Sequence, residues 1–169
     1  FTPTFMGSSV DEAFALEILS TILGSSASSR IYRQLVVTDK LAVSAGSSYS
    51  GLSRSDELFS LSAVPMPGVT LEQIEEALFA QIELLVSGPI TERELQRAKN
   101  SLIADHLFAQ DSVDRIAWLI GRMSTNNSDW RLLVEEYPDR IQKVTAKEVR
   151  HVAASYLQKR LAAIGTLQP

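Results

Sequence analysis

Two short segments of alternating side chains, flanked on both sides by long helical patterns, constrain this chain more than any other feature. The odd-numbered positions of Leu41–Tyr49, Val43 among them, alternate with small residues, and Leu58–Val64 shows a similar alternation. This period of two is typical of β-strands. Polar residues 50–56 turn the chain between the segments, and two prolines and a glycine at 65–68 end the second one. The pattern predicts an antiparallel hairpin.

The rest of the chain is dominated by apolar residues at helical spacing. Four helix starts have the sequence of a capping box, in which a Ser or Thr precedes a Glu or Gln by three positions. The first predicted elements are a helix from about Val10 to Leu23 with the box Ser9/Glu12 and a short helix ending near Asp39. After the hairpin we predict helices that begin at the boxes Thr70/Gln73 and Thr91/Glu94, and a helix over Val113–Ile120. A further helix begins at Trp130 and is kinked or restarted at Pro138, a last helix has the box Thr145/Glu148, and a strand within Leu161–Leu167 rejoins the sheet.

The resulting order, ααββααααα followed by β, predicts an α+β fold in which an antiparallel sheet has helices packed on one face. A length of 169 residues fits one domain, 1–169, with a sizeable core. The chain begins abruptly at Phe1 without a Met, so we expect a domain excised from a longer chain.

Charge and hydropathy exclude two classes of function. The 16 basic residues face 20 acidic ones and form no long basic run, which is unlike a nucleic-acid-binding surface. Acidic residues interrupt even the most apolar stretch, Val10–Leu23, so no segment approaches a membrane span. The absence of cysteine excludes disulfides and thiolate ligands but leaves both a periplasmic and a cytoplasmic location open.

The two histidines are the natural candidates for a metal site. Zinc peptidases need two imidazoles and a carboxylate around one ion, often from histidines one turn apart on a helix. His106 and His151 are 45 positions apart and lack that spacing. We therefore predict no metal site here. His106 is expected in the core or at its boundary, or alternatively in a pH-sensitive contact, and His151 on the surface.

Other candidates for chemistry have simpler structural explanations. The pair Glu75 and Glu76 and the cluster Asp111, Asp114 and Arg115 are expected to be solvated helix faces. The serines at 25–29 are expected to form a loop without a hydrolase motif. Trp118 and Trp130 could anchor a partner, but we expect them to complete the core. No catalytic residue is predicted.

Four motifs in the right order resemble a known family. They are Gly24-Ser25-Ser26-Ala27-Ser28-Ser29-Arg30-Ile31-Tyr32-Arg33-Gln34-Leu35, Leu41-Ala42-Val43-Ser44, Gly88-Pro89-Ile90-Thr91-Glu92-Arg93-Glu94-Leu95-Gln96-Arg97-Ala98-Lys99 and Val144-Thr145-Ala146-Lys147-Glu148-Val149. Together they resemble the second, non-zinc domain of the pitrilysin/insulinase zinc metallopeptidases, which include the mitochondrial processing peptidases.

The resemblance implies a division of labour between domains. In that family two homologous α+β domains form a half, two halves enclose a chamber, and the first domain of one half binds zinc. This chain would then carry no cofactor, with zinc expected in a missing domain of the parent protein. Partner halves commonly present an Arg and a Tyr to the substrate, and the corresponding positions here are Val36 and Val43. Neither can hydrogen-bond through its side chain, so we expect no substrate-binding residue of that kind.

The resemblance also implies a function and partners. The leading interpretation is a non-zinc domain of a zinc-dependent endopeptidase that encloses peptides, packs against a homologous N-terminal domain, and belongs to the zinc-bearing half with a homologous second subunit supplying the Arg and Tyr. The alternative is an assembly domain of a catalytically inactive relative.

Overall fold

The computed structural model describes residues 1–167, which form seven α-helices, one π-helix and a two-stranded antiparallel sheet. The elements in chain order are α1 (Val10–Leu23), the π-helix (Tyr32–Thr38), β1 (Ala42–Ser48), β2 (Ser60–Pro65), α2 (Leu71–Ser87), α3 (Glu92–Gln110), α4 (Val113–Thr125), α5 (Arg131–Val134), α6 (Tyr137–Lys143), α7 (Ala146–Tyr156) and a 3-10 turn (Lys159–Leu161). Within this range no helix is both long and apolar enough to cross a bilayer.

Helix α1 is the centre of the fold. It packs against α3, α6, α7 and β1, so its side chains are buried around most of its circumference, with Leu16, Ile18 and Leu19 completely inaccessible. A helix that is apolar all round is stable only when it is enclosed by neighbouring elements. The predicted bounds of this helix are confirmed.

The hairpin confirms the α+β class. Ala45 pairs with Ala63 and Ser47 with Leu61, and these residues face the helices; the Ser47 hydroxyl donates to the Ser20 carbonyl of α1 at 2.8 Å. The opposite face of the sheet is exposed at Ser44, Ser48, Ser60 and Ser62. Helices therefore cover one face of the sheet within this chain, as predicted.

A glycine pair allows α1 to approach β1. A Cβ atom on Gly24 would lie 2.0 Å from the Ser47 nitrogen, and one on Gly46 would lie 2.8 Å from the Gly24 oxygen. Gly24 ends the helix as predicted, but with an extended φ of -154° rather than a left-handed one. It is therefore required by close packing rather than by backbone conformation.

An ion pair joins the segment before the π-helix to the start of α3. The Arg30 guanidinium donates to both carboxylate oxygens of Glu94, at 2.8 and 2.7 Å, and to the Pro89 carbonyl at 3.0 Å. Such a bidentate pair fixes geometry as well as adding charge attraction. It links two of the motifs that carry the family resemblance.

The predicted capping boxes are partly correct. Both bonds of the box are present at Thr70/Gln73 and at Thr145/Glu148. At Thr91 the hydroxyl accepts from the Glu94 amide, but the Glu94 carboxylate binds Arg30 instead of completing the box. The box at Ser9 was wrong: its side chain makes no cap bond. The Glu12 carboxylate instead accepts from the Tyr156 hydroxyl at 2.6 Å.

The end of the chain departs from prediction. Pro138 lies in the first turn of α6, which confirms the restart there. The strand within Leu161–Leu167 was wrong, because Leu161 ends a 3-10 turn and residues 162–167 pair with no strand. Apolar character alone suggested that strand, without an alternation to support it.

We expect Gly24→Ala to lower the free energy of unfolding by about 1–3 kcal/mol, because the added methyl group must displace the β1 backbone. Gly121→Ala is the matched control: Gly121 lies inside α4 with nothing within 4 Å of an added Cβ, so it should raise stability by about 0.5–1 kcal/mol. Urea unfolding followed by circular dichroism measures both changes. Equal effects at the two positions would contradict the close packing of α1 and β1.

Candidate functional site

Positions 36 and 43, which the sequence singled out, lie at the junction of the π-helix and β1. The alternation in the sequence would place Val43 on the same face as Ala45. The strand register instead shifts between Ala42 and Ser44, so that Ala42 is buried and Val43 is 56% exposed. A β-bulge of this kind changes the direction in which a side chain points from the sheet. The face predicted for Val43 was therefore wrong.

Three exposed valines lie on the π-helix and the two strands around this junction, and together we call them the valine patch: Val37, Val43 and Val64. These three side chains are 59%, 56% and 54% exposed. Val64 pairs with Ser44, the residue after Val43, and Val37 lies in the π-helix, which packs against β1. Val36 is half-buried against the core. π-Helices are frequent at functional sites, and this one has its exposed end beside the bulge.

The two histidines are on different helices with different partners. His106 in α3 stacks on Tyr137 with ring centroids 4.6 Å apart, and its Nε2 lies 2.9 Å from the Gln110 amide nitrogen. Burial lowers its pKa. His151 in α7 is exposed and lies 3.8 Å from Glu12. Both sit where the sequence predicted, His106 at the boundary and His151 on the surface.

The side chains present do not fit a zinc site. Across residues 1–167 no group of three or more His, Asp or Glu residues is arranged to hold a metal ion. Zinc requires at least three such ligands converging within bonding distance. No reaction step is therefore assigned to a metal held by this chain.

The remaining sequence candidates divide into surface and core. Glu75 forms an ion pair with Lys159 at 2.8 Å, and the serine loop ends in the buried Ser29, whose hydroxyl donates to the Ser26 carbonyl. Residues 111–115 are all exposed. Trp130 packs partly against the core, as expected. The core placement of Trp118 was wrong, because this side chain is 56% exposed on α4.

A cavity of about 320 Å³ lies between α1, α3, α4 and the α5–α6 segment. Its polar side chains include Glu17, Asp105, His106, Arg115 and Tyr137. Apolar walls come from Phe5, Leu52, Leu102, Ile116, Trp118, Leu119 and Leu133. Sequence reasoning had not identified this site, since its residues come from segments that are far apart along the chain.

Glu17 is the unusual residue of this cavity. Its Oε2 is buried and has no hydrogen-bond partner among residues 1–167. Burial raises the pKa of this carboxyl group to about 7, and the nearby Tyr137 hydroxyl opposes the rise. Burial and the Glu17 carboxylate in turn raise the pKa of Tyr137. The sequence contains one indication of this unusual carboxyl group, because Glu17 is the only charged residue in the apolar run from Ala13 to Leu23.

A second, larger cavity of about 580 Å³ lies at the N-terminal end of α1. Arg140 forms ion pairs there with Asp11 at 3.2 Å and with Glu136 at 3.1 Å. Asp129 likewise pairs with Arg131 at 3.5 Å. The carboxylates that line this cavity, Asp11, Glu12, Asp129 and Glu136, therefore each have an ion-pair or hydrogen-bond partner, unlike Oε2 of Glu17 in the smaller cavity.

Comparison with known proteins identifies relatives over nearly the whole chain. The sequence profile of the family described as "Peptidase M16 inactive domain" matches residues 3–102. An uncharacterized zinc protease of Mycobacterium leprae is 30% identical over 160 residues, which are 93% of this chain and 35% of that protein. The zinc protease PqqE of Helicobacter pylori is 27% identical over 155 residues, 92% of this chain and 34% of that protein. The chain thus spans about a third of the length of these relatives.

Solved structures of proteases and of a peptidase domain also resemble this chain over nearly its whole length. A protease from Helicobacter pylori superposes with a TM-score of 0.82 at 26% identity, over 93% of this chain and 36% of that one. An inactive peptidase domain from Bordetella parapertussis superposes with a TM-score of 0.79 at 23% identity, over 94% of this chain and 82% of that one. At that identity the second comparison shows the shared fold.

We expect the buried carboxyl group of Glu17 to make stability depend on pH. Between the ordinary pKa of 4.5 and about 7, the folded protein retains a proton that the unfolded chain has released. The free energy of unfolding therefore falls as pH rises through this window and is level above it. Glu17→Gln should be more stable than the wild type by up to about 3 kcal/mol at pH 8, with the difference vanishing near pH 4.

Urea unfolding of both proteins from pH 4 to 8 measures this difference. Protonation of His106 at low pH acts in the opposite direction, but it is common to both proteins and cancels. Glu76→Gln, at an exposed position of α2, is the control and should leave the profile unchanged. A constant difference between wild type and Glu17→Gln at every pH would contradict the burial of the carboxyl group.

Proposed function

Because this chain belongs to the family of peptidase M16 inactive domains, we propose that it is a non-catalytic wall of the chamber in which a zinc-dependent endopeptidase encloses and hydrolyses peptides. Family membership confirms the resemblance to the pitrilysin/insulinase peptidases, and specifically to their non-zinc domain. Residues 1–169 then form one domain of a longer protein, in line with the third of each relative that the chain spans. Zinc and the general base of the reaction would be supplied by a preceding homologous domain.

The observation that carries this proposal is the exposed valine patch, which includes Val43, one of the two positions that correspond to the family's substrate contacts. Val43 projects from the bulge at a position where the family commonly presents a hydrogen-bonding side chain. A valine can neither polarise a carbonyl nor stabilise an oxyanion. It can exclude water and contact apolar side chains of an extended peptide. The patch would therefore contribute to substrate binding rather than to the chemical step.

This assignment places the chain in the zinc-bearing half of the peptidase. A homologous second subunit would then supply the Arg and Tyr that positions 36 and 43 lack. The alternative is an assembly domain of a catalytically inactive relative. Valines at positions 36 and 43 would be compatible with that function too. Metal content and activity of the full-length protein separate these two functions.

We expect the full-length protein, purified with any homologous subunit encoded beside it, to contain about one zinc ion per zinc-binding domain. It should hydrolyse unstructured peptides and lose this activity when the zinc is chelated. Elemental analysis and a fluorogenic peptide assay measure these properties. A metal-free, inactive full-length protein that still forms a stable complex would instead support the assembly function.

We expect Val43→Asp in the full-length protein to lower kcat/KM for extended apolar peptides by about tenfold, chiefly through KM, because it places a charge in a surface that contacts substrate before the reaction. Val113→Asp is the matched control, since Val113 is also an exposed valine but lies on α4. Both variants should unfold at nearly the wild-type urea concentration. Unchanged kinetics of Val43→Asp would show that the valine patch does not contact substrate.

A further inference from the structure

The cavity around Glu17 has the form of a small binding pocket, separate from the valine patch. Its volume of about 320 Å³ is at the lower end of the range for small-molecule sites. The walls are mostly apolar side chains from α3 and α4, including Leu102, Trp118 and Leu119. The Glu17 carboxyl group and the Tyr137 hydroxyl supply polar atoms among them. An apolar pocket with a few polar groups favours a ligand that has one polar end.

The polar end of such a ligand must be a hydrogen-bond donor. The buried Oε2 of Glu17 has no donor among residues 1–167. Leaving a buried acceptor unpaired is destabilising, and more so when the group is charged. The Glu17 side chain as a whole is only half-buried, so a donor that entered the cavity can pair with its carboxyl group. The Gln110 amide nitrogen of the same lining donates to the Val134 carbonyl at 2.7 Å and lies 2.9 Å from His106 Nε2, so its two hydrogens are directed at these groups.

The charges around the cavity favour a cationic donor. Two carboxyl groups, Glu17 from α1 and Asp105 from α3, face it, and His106 is kept mainly neutral by burial. Tyr137 from α6 is also uncharged at neutral pH, because its pKa is raised. The one cationic side chain of the lining, Arg115 from α4, is exposed, where solvent screens it. An anionic ligand would be repelled by Glu17.

The aromatic and aliphatic walls suit the rest of such a ligand. Methylene groups of a ligand are stabilised when they leave water for an apolar environment. The half-exposed ring of Trp118 at α4 can cover an alkyl chain, and its burial by a ligand would remove exposed aromatic surface.

We propose that this cavity binds an alkylammonium group, with the ammonium at the Glu17 carboxyl group and the alkyl chain along Leu102, Trp118 and Leu119. A free primary amine and the side chain of a lysine in a peptide share this chemistry. The site is independent of the peptidase function proposed above, since none of the residues of the valine patch lines the cavity.

Isothermal titration calorimetry of the full-length protein with n-pentylamine tests the proposal, with 1-pentanol as the neutral ligand of the same length. At pH 8 the amine should bind at least about tenfold more tightly than the alcohol. Because the carboxyl group must be ionised, binding should weaken by about tenfold from pH 8 to pH 6, with release of one proton detectable in buffers of different ionisation enthalpy. Equal affinities for amine and alcohol, or no binding at all, would overturn the proposal.

Variants locate the binding site. Glu17→Gln retains the shape of the side chain and should lower amine affinity at least about tenfold, while its circular dichroism spectrum stays that of the folded protein. Asp105→Asn, at the exposed rim, should lower it by a smaller factor of about two to three. Glu76→Gln should bind like the wild type. Amine binding that is indifferent to both Glu17→Gln and Asp105→Asn would place the amine elsewhere and refute the assignment.

A second ligand distinguishes the two sources of the ammonium group. Nα-acetyl-lysine methylamide presents the same group on a peptide backbone. Binding of this compound with an affinity close to that of pentylamine supports a lysine side chain of a peptide segment as the natural occupant. Binding of pentylamine alone supports a free amine, because the backbone amides then do not fit the mouth of the cavity.

Discussion

The enclosure of α1 is the constraint on which the rest of the structure depends. An apolar helix surrounded on most sides leaves many of its polar groups little access to bulk water, and a buried polar group is stable only with a partner within the protein. Glu12 finds Tyr156 of α7, and the Ser20 carbonyl finds Ser47 of β1. Glu17 is the exception: its buried Oε2 has no such partner among residues 1–167, and the residue lines the smaller cavity. The same enclosure explains the glycine pair, because β1 can lie against the end of α1 only where side chains are absent.

Local patterns predicted the elements well because their information is contained in a few adjacent residues. The periodicity of Val10–Leu23 and the capping boxes at Thr70 and Thr145 needed no knowledge of distant contacts. The predicted capping boxes failed where a distant residue bound the carboxylate that was expected to complete the cap. Glu94 binds Arg30, 64 positions away, instead of completing its capping box. Glu12 binds Tyr156, 144 positions away, instead of capping α1.

The candidate sites were predictable to different degrees. Positions 36 and 43 followed from the family resemblance, but the exposure of Val43 depends on a bulge that interrupts the alternation without any signal in the residue types. The cavity is assembled from α1, α3, α4 and α6, so its existence could not be inferred from the sequence. Its most informative residue was nevertheless visible, since a carboxylate within an apolar helix requires either a partner or a function. The exposed Trp118 belongs to the same cavity, which explains why a core position was the wrong expectation for it.

The contact between α1 and α7 also determines when the fold can form during synthesis. The most apolar helix of this domain is synthesised before the elements that cover it, and one of these, α7 (Ala146–Tyr156), follows it by more than 120 positions. Contacts between such distant segments must wait for almost the whole domain to be translated. At typical elongation rates of about 5–20 residues per second, α1 stays uncovered for several seconds. During that interval the nascent chain exposes an aggregation-prone apolar segment, and a chaperone that bound this one helix would protect the polypeptide from aggregation.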